Sequence, residues 1–264
     1  MATVRLTMSQ ALTRWMTAQS IEQLDGSIEP AFAGVWAIFG HGNVAGLGEA
    51  LYGVRDQLPT YRGHNEQSMA HIAIAYAKQK QRRRMMAVTT SIGPGATNLA
   101  TAAALAHVNR LPVLLLPGDV FATRAPDPVL QQVESFADGT VSANDCLRPI
   151  SRYFDRITRP EQLLQALPKA MSVLTDPADC GPVTLGLCQD VQAEAWDYPE
   201  SFFAPRVWHM RRISPDAAEL SRAMEILKSA KRPVIVAGGG VRYSGASQAL
   251  TAFAETAGIP VAAT

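Results

Sequence analysis

The chain has 264 residues, 47% of them hydrophobic, with 24 Lys and Arg against 23 Asp and Glu and a formal net charge of +1. This is an ordinary globular composition, long enough for one large domain and part of a second. Near-neutral charge argues against nucleic acid or an anionic membrane as the main partner. No run of about 18 apolar residues predicts a membrane span. The N-terminal stretch lacks an apolar signal core, so a cytoplasmic location is expected. Cys146, Cys180 and Cys188 lack metal-ligand or redox spacing and read as free, mostly buried thiols of a reducing compartment.

Taken in order, MATVRLTMSQALTRWMTAQ reads as an amphipathic helix and GVWAIFG (34–40) as a short buried strand. VAGLGEALYGV (44–54) reads as a helix and PTYRG (59–63) as a second strand. NEQSMAHIAIAYAKQKQ (65–81) places Met69, Ile72, Ala73, Tyr76 and Ala77 at helical spacing. MMAVTT (85–90) and PVLLLPG (112–118) are two further apolar strands. Continuous apolar strands alternating with helices predict an α/β fold, a parallel sheet with helices on both faces. Residues 119–151 form a long, proline-containing loop, a length that usually has a function. RPEQLLQALPKAMSVLTD (159–176) returns to a helix and GPVTLGLCQDV (181–191) to a strand.

The stretch 192–212 is aromatic, proline-punctuated and without period, and reads as a linker. Ser214 as N-cap and Pro215 as first helical residue open a new helix. RPVIVAGGG, SGASQALTAFAETAG and IPVAAT follow as strand, helix and strand. The domain reading is thus 1–190, a linker over 191–213, and the start of a second α/β domain over 214–264. About 50 residues are too few to close a typical core, so the chain is expected to be the front part of a longer protein or to be completed by a partner.

Several motifs compete for function. GHGNVA (40–45) fits the dinucleotide fingerprint, but the next strand ends in Arg62 and Gly63 where an acidic residue is wanted. The lysine-containing phosphate loop is absent. GGGVRYSG (238–245) is adequately explained by a tight turn. KQKQRRR (78–84) reads as a cationic helix C-terminus facing water. In TSIGPGATN (90–98), Gly93 and Gly95 permit close backbone approach, Pro94 suits a first helical turn, and the alanines that follow leave room for a large neighbour or a second helix. In YRGHNEQSMAH (61–71), Glu66 falls in the first turn of a helix, where a carboxylate favours the dipole or caps the helix.

Together, IFGHGN, RGHNEQSMAH, TSIGPGATN, PVLLLPGD and KRPVIVAGGGVRYSGA resemble, in order, the pyrimidine-binding half of thiamine diphosphate enzymes of the acetohydroxyacid synthase type. GDVFATRAPDPVLQQVE, CQDVQAEAWDYPESFF and the 148–179 stretch resemble the branch that hydrolyses cyclic diones in myo-inositol breakdown. The resemblance implies thiamine diphosphate with Mg²⁺ as cofactor and a second subunit, in a dimer or tetramer, across the cofactor site. It implies a cyclic 1,2-dione as substrate, opened by C–C cleavage. Glu66 would hydrogen-bond the pyrimidine N1′, and Gly93, Pro94, Gly95 and Asn98 would line the cofactor. His41 and Asn43 stand where the synthases carry other residues. They are expected either to face the substrate or only to shape the turn, with His64 and Gln131 weaker candidates of the same kind. The diphosphate and Mg²⁺ segment of the family is absent from this sequence, so the chain alone is expected to be inactive. A carboligase, or a non-catalytic α/β binding module, are the other readings.

Overall fold

The first unit runs, in chain order, through β1 (Thr3–Thr7), α1 (Met8–Thr17), β2 (Gln19–Glu22), β3 (Ile28–Pro30) and β4 (Phe32–Ala37). A single π turn over Val44–Gly48 leads into α2 (Glu49–Gly53), then β5 (Thr60–Arg62), α3 (Glu66–Gln79) and β6 (Met85–Thr90). There follow α4 (Pro94–Thr97), α5 (Ala100–Asn109), β7 (Val113–Asp119), a 3₁₀ segment Ala143–Ile150 and β8 (Tyr153–Ile157). The unit ends with α6 (Leu163–Leu174), β9 (Pro182–Cys188), β10 (Ala195–Pro199) and β11 (Arg206–Trp208). The computed structural model describes residues 2–135 and 137–264, and these divide into two compact units, one reaching to Met210 and the other Arg211–Thr264.

Six strands form one sheet in the order β5-β4-β6-β7-β9-β8, every neighbouring pair parallel. β6, β7 and β9 are buried along their whole length. That is why their sequences are apolar runs and not alternations, since helices cover both faces. The chain leaves β4 for β5 on one side and returns through α3 to β6 on the other. This reversal puts the crevice of an open α/β sheet at the carboxyl ends of β4 and β6. The α3 helix begins at Asn65, whose side chain accepts the Ser68 N–H at 2.9 Å. Its small residues Ala70, Ala73 and Ala77 are buried, as are Ala102, Ala103 and Ala106 of α5, which packs beside it. The alanine-rich sequence is therefore used for close helix packing.

Several expectations change. The 192–212 stretch is not a free linker down to Met210. β10 pairs antiparallel with β1, β11 pairs parallel with β2, and Tyr198, Phe203 and Trp208 enter the core. The N-terminal stretch is divided for the same reason: Thr3–Thr7 is a strand and only Met8–Thr17 is helical. β8 escapes periodicity because it is an edge strand carrying Asp155 and Arg156. The basic run turns inward: Arg82 donates to the Asn109 carbonyl, Arg83 to the Glu22 carbonyl at 2.8 Å, and Arg84 pairs with Glu29.

In the second unit, α7 (Ala217–Ser229) is followed by β12 (Ile235–Ala237), α8 (Gly239–Tyr243), α9 (Ser247–Ala257) and β13 (Val261–Ala263). β12 and β13 pair in parallel. The α7 cap is Asp216, not Ser214; its carboxylate accepts the N–H groups of Ala218 and Glu219. Among the described residues, no helix is long and apolar enough to cross a membrane.

The three cysteines are free, with Cys180 and Cys188 buried. Burial pushes the Cys180 thiol up to about 11, and burial with the nearby Asp119 carboxylate pushes Cys188 up to about 12. Because the thiolate is the reacting form, an aromatic disulfide reagent at pH 8 should titrate only Cys146 in the native chain, and all three after denaturation. Rapid native labelling of a second thiol would contradict this packing.

Candidate functional site

Glu66 occupies the first turn of α3, at the carboxyl edge of the sheet. Asn98, the C-cap of α4, donates its amide N–H to Glu66 Oε2 at 2.8 Å. The other oxygen, Oε1, faces Gly95: a Cβ built there would come within 3.3 Å of it. A fixed carboxylate therefore looks across a backbone wall that carries no side chain. The wall turns at Gly93, whose φ of +59° combined with a ψ of −118° suits only glycine, and Pro94 starts α4 in the position where a missing N–H is harmless.

The loop after β4 lies against the loop after β6. A Cβ at Gly40 would stand 2.6 Å from Ser91 Oγ, and one at Gly42 would stand 2.5 Å from Ile92 Cγ2. From the next strand, a Cβ at Gly118 would meet the Gly42 carbonyl oxygen at 2.9 Å. Asn43 is buried and fully used: its Oδ1 accepts the Gly40 N–H, and its amide donates to the Ile38 carbonyl and to Thr89 Oγ1. The Gly42 carbonyl accepts the amide of buried Gln192, which also donates to the Leu187 carbonyl and accepts the Leu47 N–H. His41 is half-buried, and its Nδ1 lies 3.3 Å from Gln189 Oε1. Outside this loop, Phe39, Val44 and Tyr52 line an open apolar hollow.

The long 120–142 loop is tied down from two sides. Asp119, at the end of β7, accepts Ser142 Oγ at 2.8 Å and the Val120 N–H on one oxygen, and Arg156 Nε at 2.9 Å on the other. Burial works most strongly against the Arg156 charge, but the charge and hydrogen bond of Asp119, with Cys188 and Asp145 nearby, together outweigh it and the guanidinium is held above its ordinary value. Asp190, just past β9, accepts the N–H groups of Ala122 and Thr123 and the Thr123 hydroxyl.

Of the residues singled out in the sequence, Glu66, Asn98, Gly93, Pro94 and Gly95 come together at one point. Gln131 reaches it through its backbone only: its carbonyl oxygen would lie 2.2 Å from a Cβ on Gly93. His64 is exposed. Asn43 spends every polar atom on its own turn. Sequence reasoning did not single out Ser91, Asp119, Gln189, Asp190 or Gln192. The signal for the last three was available, as a polar cluster directly after the wholly apolar β9. Among the described residues, no group of three or more His, Cys, Asp or Glu side chains could hold a metal.

An open parallel sheet with a carboxylate and a glycine wall at its switch point defines an α/β cofactor-binding domain. The family profile described as "Thiamine pyrophosphate enzyme, N-terminal TPP binding domain" matches residues 33–138, and "Thiamine pyrophosphate enzyme, central domain" matches residues 220–264. The two matches take in more than half of the chain, which belongs to the thiamine pyrophosphate enzymes. Along its whole length it is 54% identical to a 3D-(3,5/4)-trihydroxycyclohexane-1,2-dione hydrolase of Geobacillus thermodenitrificans, of which it covers 41%. It is 54% identical over 260 residues to one from Bacillus cereus, 98% of this chain and 40% of that protein. It is 53% identical over 262 residues to one from Bacillus velezensis, 99% and 41%. The chain thus spans about two fifths of the curated relatives it matches.

The glycine wall can be probed directly. Gly93→Ala should destabilise the chain by about 2–3 kcal/mol, through a forbidden backbone conformation and a clash with the Gln131 carbonyl. Thermal unfolding should fall by roughly 5–10 °C. Gly53→Ala, at a helix end with open space around it, should leave the midpoint unchanged or raise it. Equal midpoints for the two variants would contradict the close approach.

Proposed function

We propose that this chain is the pyrimidine-side portion of a thiamine diphosphate-dependent hydrolase that cleaves the C–C bond of a cyclic 1,2-dione, trihydroxycyclohexane-1,2-dione, in inositol catabolism. The observation that carries the reading is the Glu66 carboxylate, oriented by Asn98 and aimed at a bare glycine wall, in a chain similar throughout to proteins named for that hydrolysis.

The residues fit the aminopyrimidine half of the cofactor. A flat ring needs a wall with little side-chain bulk, which Gly93 and Gly95 supply on either side of the rigid Pro94, and a hydrogen-bonding carboxylate at its edge, which Glu66 supplies. When bound, the cofactor supplies the nucleophilic carbon and the electron sink for bond cleavage. Asn98 keeps Oε2 occupied, so Oε1 is the atom left to exchange a proton with the ring nitrogen. The Gln131 carbonyl and the Val133 side chain lie against the outer side of the glycine turn at Gly93. His41, from the loop after β4, stands on the substrate side. Mg²⁺ and the diphosphate would be held by a segment outside this chain, and a second subunit would close the site. Three free thiols favour the cytoplasm as the place of reaction.

In the full-length enzyme, Glu66→Gln keeps the side chain's size and removes its proton exchange. The rate of ring opening should drop roughly 100- to 10,000-fold, the range of a lost general acid–base group, with little change in KM. The 264-residue chain by itself should open no dione. Unimpaired turnover in the Glu66→Gln enzyme, assayed on trihydroxycyclohexane-dione, refutes the reading; activity only in joining two keto acids would point to a carboligase instead.

A further inference from the structure

We infer that Gln189 is a positioning residue for His41, holding its imidazole with the proton on Nδ1 so that Nε2 accepts from an O–H donor in the site, a substrate hydroxyl or the hydrolytic water. The inference deepens the proposed hydrolase reading and rests on it for the donor, though not for the tautomer.

The loop that carries His41 has no freedom of its own. Asn43 ties Gly40, Ile38 and Thr89 together, and Gln192 anchors the Gly42 carbonyl at one end and the π turn at the other. The turn is therefore complete without His41, whose side chain makes no bond to the loop backbone. Its contact is with Gln189, and Oε1 of an amide only accepts, so Nδ1 must donate. Gln189 is itself held, because its N–H donates to the Asp119 carbonyl at 3.1 Å. A histidine whose one nitrogen is so engaged presents the other as a lone pair.

That other nitrogen, Nε2, is buried and has no hydrogen-bond partner among the described residues. The same is true of Ser91 Oγ, on a residue only 8% exposed. Ser91 Oγ lies beside both glycines that flank His41, and Ser91 Cβ would lie 3.9 Å from a Cβ on Gly95, whose other neighbour is Glu66 Oε1. The His41 loop, Ser91 and the carboxylate are thus successive neighbours along the crevice. Two unpaired polar atoms at a switch-point crevice mark a place built for hydrogen-bonding ligand atoms. If the donor is water, Nε2 takes its proton as the water oxygen bonds to the ring carbonyl carbon and the π electrons move to the carbonyl oxygen.

Long-range proton–nitrogen correlation spectra of the 264-residue chain read the tautomer directly. The unaltered chain and Gln189→Glu, which keeps an acceptor oxygen at this position and removes the amide donor, should show His41 protonated at Nδ1. Gln189→Leu should move the proton toward Nε2. A proton on Nε2 in the unaltered chain, or no response to Gln189→Leu, overturns the inference. In the full-length enzyme, with thermal unfolding as the check on folding, Gln189→Leu and His41→Phe should change the same kinetic parameter by about tenfold, the loss of one hydrogen bond. A rise in KM alone identifies a substrate hydroxyl as the donor, and a fall in kcat alone identifies water. Unchanged constants in both variants overturn the role. Turnover retained by Glu66→Gln while the tautomer behaves as expected would remove only the hydrolase reading.

Discussion

The site depends on the backbone contact of three strand ends. Gly40, Gly42, Gly93 and Gly118 each stand so close to a neighbour that a single added carbon would come within 2.2 to 2.9 Å of it. Interiors are close-packed and do not yield by such amounts without displacing backbone. A methyl group at Gly40 or Gly42 would push the loop after β4 away from the loop after β6, one at Gly118 would press β7 on both, and one at Gly93 would displace the Gln131 backbone. The carboxylate on α3 and the imidazole after β4 are brought to one crevice only while those loops touch. Parallel strand order supplies the crevice, and the missing side chains let its walls close.

Packing backbone on backbone buries polar groups, and the structure answers each with a side chain from elsewhere. Asn43 satisfies the turn after β4, and Asp119 gathers Ser142, Val120 and Arg156 at the end of β7. The segment past β9 then sends Gln189 to His41, Asp190 to the 122–123 turn and Gln192 to Gly42. Leaving such a group unpaired after losing its partner costs about 1–3 kcal/mol. The loops are therefore held by several bonds of that size, and a site held this way is preorganised for its ligand.

How much of this the sequence discloses follows from the range of each interaction. Glu66, Gly93 and Pro94 are legible because their roles are local: a first helical turn, a positive φ, a first-turn proline; Asn98 is picked out only through the family resemblance. The central strands are legible because burial on both faces writes itself as an apolar run. β10 and β11 are not, because their partners β1 and β2 lie almost 190 residues away and their aromatic residues carry no period. β8 is obscured by the polar residues of an edge. The inward turn of Arg83 is invisible for another reason: its acceptor is a backbone carbonyl, at Glu22, and carbonyls leave no mark in a sequence. The same holds for Gln192, whose bonds to Gly42 and Leu187 are both to carbonyl oxygens.

Among the buried side-chain atoms without a partner in the described residues, three border this region: His41 Nε2 and Ser91 Oγ, and Asn144 Oδ1 beside Asp119. A fold that needed only the turn geometry would be more stable with an alanine at 91 or an apolar residue at 41, since a buried polar group without a partner is a net loss. Asn144 has a structural reason to remain, because its amide nitrogen already donates to the Gly118 carbonyl. Among the described residues, Ser91 Oγ has no hydrogen bond, and His41 has one that leaves its second nitrogen without a partner. Stability alone does not account for either residue. A ligand bearing O–H donors accounts for both, because the same burial that makes an unpaired acceptor costly strengthens the hydrogen bond that completes it.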